Sequence, residues 1–375
     1  MGEIAIPSPG RVPAAHRDHA TLSVDNARFL LRYIATSGKF FSQDRRRRNT
    51  RTHCGLVPVA CSSDFLSAHM QVPLPPSAST EARNQASMSI DSLSALEIVQ
   101  LMNQEDARVA SAVATESASI AQAIDLIAAR FRVGGRLIYM GAGTSGRLGV
   151  LDASECPPTF SVKPGMVIGL IAGGKAALTS AIEGAEDRRA EGTTDLQQLG
   201  LTANDVVMGI ASSGRTPYVM GGLEYARSVN ASTIGFACNA GSALIPLSDI
   251  MITPIVGPEV VTGSTRLKAG TATKMVLNML TTGAMVLIGK TYGNLMVDLT
   301  ATNEKLKDRS QRIVSELTGL AAADARALLL QCEGQVKTAV VAHRGHVSPE
   351  QARQILLDHG GHLRRALSIV EKSET

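Results

Sequence analysis

The feature that most constrains the fold is an alternation of short apolar runs with helical segments through the middle of the chain. This pattern is typical of parallel strands joined by crossover helices. Parallel strands are buried on both faces and are therefore apolar along their length, as these runs are. We predict a three-layer α/β/α sandwich around a parallel five-stranded sheet. The predicted strands are residues 137–140, 167–172, 206–211, 233–238 and 250–256.

Helices are predicted before, between and after these strands. Residues 92–129 repeat apolar side chains every three or four positions, which indicates a helical N-terminal part of this domain. The helices between strands are predicted near residues 147–151, 176–191 and 218–229, and a long helix is predicted over 267–290.

The C-terminal region, about residues 311–372, is predicted to be helical throughout. The tetrapeptide Ser348-Pro349-Glu350-Gln351 places an N-cap serine before a proline at the first helical position, which indicates a helix start. Because glycines divide the region into short segments, we predict a small three-helix domain over 306–375, after an α/β domain over 80–305.

The first 79 residues differ in composition from the rest. They hold nine Arg and one Lys against five acidic residues, so the basic character of the chain lies here. We predict that 1–79 is a disordered extension. The alternatives are a basic targeting segment, a nucleic-acid-binding arm, and a native start at Met70.

Several classes of protein are excluded by composition. The five cysteines are widely spaced without a CxxC motif, which favours free thiols in a reducing compartment. The longest apolar stretch, 275–289, is too short to cross a bilayer, and the N-terminal residues lack the pattern of a secretory signal. Beyond residue 79 the charge is balanced, unlike a nucleic-acid-binding surface. We expect a cytoplasmic protein that binds neither nucleic acid nor membrane.

Two strand–loop–helix junctions are rich in glycine and hydroxyl side chains. They are Gly141-Ala142-Gly143-Thr144-Ser145-Gly146-Arg147 and Ser212-Ser213-Gly214-Arg215-Thr216-Pro217. Ligands of open parallel sheets bind outside the carboxyl ends of the strands, where small residues and helix N-termini hold anions. We therefore predict a phosphate site. Its candidate residues are Gly143, Thr144, Ser145, Ser212, Ser213, Gly214, Arg215 and Thr216, with Ser264 and Lys268 as weaker candidates.

Other interpretations of these motifs are weaker. The first junction also fits G-x-G-x-x-G, but a dinucleotide site needs an acidic residue after the next strand, where this chain has Lys175. Tight turns without a ligand would explain the glycines but not the hydroxyls and Arg215. The histidine pair His343 and His346 has no carboxylate or cysteine beside it in a metal-ligand pattern. We expect no metal and no organic cofactor.

Long strings around these junctions resemble one enzyme family. The first junction continues Leu148-Gly149 and then Asp152-Ala153-Ser154-Glu155-Cys156-Pro157-Pro158-Thr159, and Val261-Thr262-Gly263-Ser264-Thr265-Arg266-Leu267-Lys268-Ala269-Gly270-Thr271 follows later. Both resemble N-acetylmuramic acid 6-phosphate etherases, and Ser212–Thr216 resembles the phosphate loop of the sugar isomerase (SIS) domain. The resemblance begins near residue 80 and runs almost to the end. It gives no role to residues 1–79.

The resemblance implies a lyase that releases D-lactate from a 6-phosphorylated amino sugar. It implies Glu155 as the acid that protonates the departing lactate and Glu186 as the base at C2. The neighbours of Glu155 solvate charge poorly, so we expect its pKa to be raised. Sequence alone does not choose between Glu183 and Glu186, which are three residues apart and would share a helix face. The resemblance also implies a homodimer with its site near the subunit boundary.

Two other functions are compatible with the same domain. A sugar-phosphate isomerase would need a base but not the string around Glu155. A sugar-phosphate-sensing regulatory protein, similar to the glucokinase regulatory protein, would bind the ligand without turning it over. That relative carries two SIS domains in a longer chain, whereas one is visible here. Fold alone does not separate these functions.

Overall fold

The structure is a computed structural model that describes residues 79–299 and 304–374. The predictions for residues 1–78 lie outside this part of the chain. A single five-stranded parallel sheet with the order β2-β1-β3-β4-β5 forms the centre of the described α/β region. Its strands are β1 (Leu137–Gly141), β2 (Val167–Ile171), β3 (Val206–Ile210), β4 (Ser232–Phe236) and β5 (Ile250–Ile252). All five predicted strands are present, and the predicted fold class is confirmed.

Helices cover both faces of the sheet. On one face, α2, α3, α4 and α7 pack against strand residues such as Tyr139 and Met208, and on the other α5 and α6 pack against Met140 and Val207. Both sets of strand residues are fully buried, which explains the unbroken apolar runs. The helices are α1 (Ala95–Asp106), α2 (Val109–Ala114), α3 (Ser117–Arg132), α4 (Gly143–Phe160), α5 (Arg189–Gln198), α6 (Pro217–Ser228) and α7 (Lys268–Leu287).

The helix predicted over 176–191 is wrong. A short 3-10 helix, Gly174–Leu178, follows β2, and the chain then runs through turns until α5 begins at Arg189. Gly184, inside the predicted helix, has a positive φ of 67°, and Gly173 (84°) and Gly174 (67°) lie just before it. A positive φ in the middle of a segment interrupts an α-helix, so the apolar spacing here is not helical. Glu183 and Glu186 therefore lie in a loop and share no helix face.

The C-terminal region contains five helices between Glu304 and Val370, rather than the three expected. Gly319, Gly334 and Gly360, each with positive φ, follow the ends of three of them, so each glycine ends a helix instead of lying within one. The predicted start at Ser348 is present, with the Ser348–Gln351 capping box complete. The helices are α8 (Glu304–Thr318), α9 (Ala322–Gln331), α10 (Val336–Arg344), α11 (Pro349–Asp358) and α12 (Leu363–Val370).

These five helices enclose a hydrophobic cluster of their own, around Val340 and Leu363. A two-stranded antiparallel hairpin, β6 (Thr291–Tyr292) and β7 (Leu295–Met296), follows α7 and packs at the margin of that cluster. Within residues 79–299 and 304–374, no helix is both long and apolar enough to cross a membrane.

Candidate active site

The carboxyl ends of the five strands meet at one edge of the sheet. Gly141 at the end of β1 pairs with Ile171 of β2 and with Ile210 of β3, and the ends of β4 and β5 continue the row at Phe236 and Ile252. Because β1 and β3 are neighbours, the two hydroxyl-rich loops that follow them lie side by side. The sequence prediction of a shared ligand position at this edge agrees with this geometry.

The first loop turns directly from β1 into α4. A side chain on Gly146 would meet the carbonyl oxygen of Gly141 at 2.6 Å, so only glycine allows this close approach of strand and helix. Ala142 provides no side-chain cap for α4, and the first-turn N–H groups of a helix have no partner within the helix. The side chain of Thr144 lies close to Gly270 at the start of α7.

The second loop is fixed by hydrogen bonds from the chain that follows β4. The Cys238 N–H donates to the Ser212 carbonyl at 2.9 Å, and the Ser242 hydroxyl donates to the Gly214 carbonyl at 3.2 Å. Gly214 has a φ of 74°, and a side chain there would collide with Ser242 at 2.4 Å. Thr216 is the N-cap residue of α6, but its hydroxyl accepts no capping hydrogen bond from the helix. The loop is thus held in one shape while its polar groups stay open to a ligand.

Arg215, within this loop, has an incompletely paired guanidinium. Its Nε and Nη1 atoms are shielded from solvent and have no hydrogen-bond acceptor among the described residues. Leaving a charged donor buried without an acceptor is costly. An anion held by the two loops would provide that acceptor, and guanidinium groups bind phosphate in a bidentate manner.

Glu186 lies beside the second loop. Its carbonyl accepts a hydrogen bond of 3.0 Å from the N–H of Tyr218, in the first turn of α6. The residue keeps substantial surface, yet the pKa of its carboxyl is raised, first by partial burial and then by the like charges of Asp187 and Glu183. A carboxyl with a raised pKa beside a phosphate loop is suited to take up a proton as a general base.

Glu155 is not brought to this edge within one chain. It lies on α4, twelve residues after Gly143, which places it about 18 Å along the helix axis from the first loop. Its side chain is exposed, so the desolvation expected from its neighbours is not provided by this chain alone. Leu151, four residues earlier on the same side of the helix, is an exposed apolar residue.

The two weaker phosphate candidates differ in position. Ser264 lies half-buried before α7, in the segment that reaches the first loop through Gly270. Lys268 is buried, and its ammonium donates to the Glu105 carboxylate at 2.6 Å. Its backbone N–H donates to Glu259, whose carboxylate caps α7. The structure therefore gives Lys268 an internal ion-pair partner in place of a phosphate.

Sequence reasoning missed this buried polar cluster. Asn84 donates to the same Glu105 carboxylate at 2.8 Å, so a residue before α1, a residue at the end of α1 and a residue of α7 meet. Glu105 and Lys268 are 163 positions apart, and no local pattern connects them. Asn84 does fall in the stretch where the family resemblance begins, which was the available signal.

Comparison with known proteins identifies the family. Residues 119–227 match the family described as the glucokinase regulatory protein N-terminal SIS domain, and residues 190–283 match the SIS domain family. A curated N-acetylmuramic acid 6-phosphate etherase of Rhodopirellula baltica is 65% identical over 289 residues, which cover 77% of this chain and 96% of the relative. The chain belongs to the N-acetylmuramic acid 6-phosphate etherase family.

Other members of the etherase family agree. The etherase of Escherichia coli O81 is 56% identical over 288 residues, which cover 77% of this chain and 97% of the relative. That of Brucella anthropi is 56% identical over 289 residues, which cover 77% and 94%. Among solved structures, a phosphoheptose isomerase from Francisella tularensis matches at 18% identity and a TM-score of 0.41, over 52% of this chain and all of that one. The resemblance to etherases stated from the sequence motifs is confirmed.

Proposed function

We propose that this chain cleaves the D-lactyl ether of N-acetylmuramic acid 6-phosphate, giving N-acetylglucosamine 6-phosphate and D-lactate. The observation that carries the proposal is 65% identity to an etherase along nearly the full length of that relative. The geometry of the carboxyl edge supports it, because the start of α4, which has no side-chain cap, and the incompletely paired Arg215 are suited to a sugar phosphate.

In this proposal the phosphate lies between the loops after β1 and β3. The first-turn N–H groups of α4 bind it in this proposal, and the dipoles of α4 and α6 favour its negative charge. The first turn of α6 offers fewer donors, because Pro217 has no N–H and the Tyr218 N–H donates to the Glu186 carbonyl. The other groups proposed to bind the phosphate are the hydroxyl groups of both loops, the Arg215 guanidinium and, at the margin, Ser264. Lys268 is left out, since its ammonium pairs with Glu105. The proposed hydroxyl contacts are Thr144, Ser145, Ser212, Ser213 and Thr216.

The chemistry proceeds from the open-chain aldehyde, whose carbonyl makes the C2 proton acidic. Glu186 removes that proton, the C3–O bond breaks, and lactate leaves with the ether oxygen as an acid protonates it. Water then adds to C3 of the unsaturated aldehyde, and C2 regains a proton. The sum is one ether and one water converted to one sugar phosphate and one lactate. Two carboxyls perform these transfers when their surroundings separate their pKa values.

We assign the acid to Glu155 of a second copy of the chain. The path from phosphorus to the C3 oxygen contains six bonds of about 1.5 Å, so it spans less than roughly 9 Å. A phosphate held at the start of α4 is about 18 Å along the axis from Glu155 of the same chain, too far for that carboxyl to reach the ether. In a homodimer, the exposed face of α4 with Leu151 and Glu155 meets the partner's carboxyl edge.

The buried free thiols Cys156, Cys238 and Cys332 fit a reducing compartment, and the proposal places the enzyme in the cytoplasm. The extent of the catalytic domain, 80–305, and of the C-terminal helical domain, 306–375, is part of the same proposal. The polar cluster at Asn84 joins the start of the first domain to α1 and α7. The C-terminal helices share a hydrophobic cluster that also contains Val297 and Leu299.

The test is to supply N-acetylmuramic acid 6-phosphate in water enriched in heavy oxygen and to measure both products. We expect D-lactate, with the heavy oxygen at C3 of N-acetylglucosamine 6-phosphate and none in the lactate, because the C3–O bond is the one that breaks. Heavy oxygen in lactate would refute the elimination. Binding of the substrate without release of lactate would favour a regulatory protein, the function to which the match over residues 119–227 points.

A further inference from the structure

The short segment of residues 79–84 lies at the carboxyl edge of the sheet, although it is far from the loops in sequence. Ser79 begins a single 3-10 turn, and its hydroxyl donates to the carbonyl of Cys238 at 3.1 Å. Cys238 is the residue whose N–H holds the Ser212 carbonyl at 2.9 Å. The beginning of the segment is therefore hydrogen-bonded to the same strand end that fixes the second phosphate loop.

The other end of the segment is fixed to the chain that follows the neighbouring strand, β5. The Asn84 amide donates to Glu105 at 2.8 Å and to the carbonyl of Pro258 at 3.2 Å, in the connection between β5 and α7. Between the two ends, the Glu81 carboxylate lies over Gly263, where an added methyl group would meet its Oε2 at 3.4 Å. The segment thus runs between Cys238, which holds the second loop, and the approach to α7, which lies close to Thr144 of the first loop at Gly270. We take it as a wall of the candidate site.

Thr80, in the middle of this wall, carries a hydroxyl without a partner. The residue is 1% exposed, and its Oγ1 is shielded from solvent and has no hydrogen-bond partner in the part of the chain that the structure describes. Other buried threonines, such as Thr273 and Thr338, do have partners, at 2.7 and 2.8 Å. A buried hydroxyl left unpaired costs about 1–3 kcal/mol, and such groups in native proteins call for a functional explanation.

We propose that Thr80 is a substrate-binding residue whose hydroxyl hydrogen-bonds an oxygen of the sugar phosphate. This inference rests on the proposed function and adds a residue to it from outside the glycine-rich loops. A hydroxyl both donates and accepts, so it suits a phosphate oxygen or a hydroxyl of the sugar. The two anchors at Ser79 and Asn84 hold the side chain in place, so that little conformational freedom is lost on binding.

The test compares Thr80→Val with Thr80→Ser. Valine keeps the shape of threonine and removes the hydroxyl, whereas serine keeps the hydroxyl. We expect Thr80→Val to raise KM for N-acetylmuramic acid 6-phosphate about tenfold or more, the loss of one hydrogen bond to a charged ligand. The melting temperature without ligand should be unchanged or higher, because no native hydrogen bond is lost. Thr80→Ser should keep KM within about threefold of the wild type.

Thr338→Val is the matched control. Its hydroxyl is also buried but donates to Gln335, in the C-terminal helical region, so this variant should melt at a lower temperature with KM unchanged. Inhibition by inorganic phosphate locates the contact: a weaker inhibition of Thr80→Val places the hydroxyl on the phosphate, and unchanged inhibition with a raised KM places it on the sugar.

The opposite pattern overturns the inference. If Thr80→Val melts at a lower temperature and keeps the wild-type KM, the hydroxyl has a structural role. If Thr80→Ser loses affinity as much as Thr80→Val, the hydroxyl is not the binding group. Either result leaves the etherase activity of the wild type intact, whereas absence of D-lactate from the wild-type reaction would refute the proposed function itself.

Discussion

The change that most sharply separates two roles for one residue is Lys268→Met. The Lys268 ammonium and the Glu105 carboxylate are 2.6 Å apart, and their side chains are 2% and 4% exposed. At an effective dielectric constant of about 20, charges about 3 Å apart attract by roughly 5–6 kcal/mol. Removal from water costs several kcal/mol for each ion, so the net value of the pair is small, but breaking it costs about 3–5 kcal/mol.

We therefore expect Lys268→Met to unfold roughly 6–20 °C below the wild type, given a shift of about 2–4 °C for each kcal/mol. The assay is thermal unfolding by circular dichroism, with KM measured well below the transition. KM should stay within about threefold of the wild type, because the ammonium does not contact the substrate. The double variant Glu105→Met/Lys268→Met should recover most of the lost stability, since neither charge is then left unpaired.

The pKa of Glu105 determines how the free energy of unfolding changes with pH. Burial alone would raise the pKa of Glu105, but hydrogen bonds from Lys268 and Asn84, and the charge of Lys268, lower it overall. The stabilisation from this carboxylate is thus present above its unfolded pKa and is lost as the pH falls through the lower folded value.

The control for Lys268→Met is Lys274→Met, a substitution at an exposed position on the same helix. If Lys268→Met melts at the wild-type temperature and its KM is raised tenfold or more, the ion-pair role is refuted. Lys268 would then be a phosphate-binding residue.

Three further predictions concern the site. Glu155→Gln should fold and keep its affinity for phosphate while losing ether cleavage, and wild-type turnover would refute the assignment of the acid. Because the pKa of Glu186 is raised, the pH–rate profile should show activity falling as the pH drops through a value above the ordinary 4.5. Asp187→Asn removes a like charge and should move this fall in activity to lower pH. Gly214→Ala should lower the free energy of unfolding in urea by at least about 1–2 kcal/mol, because the φ of Gly214 is positive and Ser242 fills the space beside it. As a control, Gly241→Ala should leave this free energy unchanged, because the added methyl group meets open space.

The sheet and the two loops could be predicted from the sequence because their signals are local. A strand covered on both faces is apolar throughout, as in Val206–Ile210, and a glycine-rich string after such a strand marks a turn into a helix. The stretch 176–191 failed because apolar spacing carries no information on backbone φ. Gly184 is visible in the sequence, but its positive φ is not, because glycine is compatible with either sign of φ.

The rest of the site depends on contacts between distant parts of the chain. Whether Lys268 faces a phosphate or a carboxylate is decided by Glu105, which no spacing rule connects to it. Thr80 reaches the carboxyl edge only because Ser79 and Asn84 are anchored there. The position of Glu155 follows from simple helix geometry once α4 is known to run unbroken from Gly143 to Phe160. The sequence alone did not show that Pro157 and Pro158 lie within that helix.

The most direct test of the account is a hybrid dimer made from Glu155→Gln and Glu186→Gln chains carrying different tags. If each site takes Glu186 from one chain and Glu155 from its partner, one of the two sites in the hybrid contains both glutamates. The purified hybrid should then release D-lactate at about half the wild-type rate, although each parent variant is inactive. If both glutamates of a site come from the same chain, every site in the hybrid lacks one of them. A hybrid as inactive as its parents would contradict the shared site.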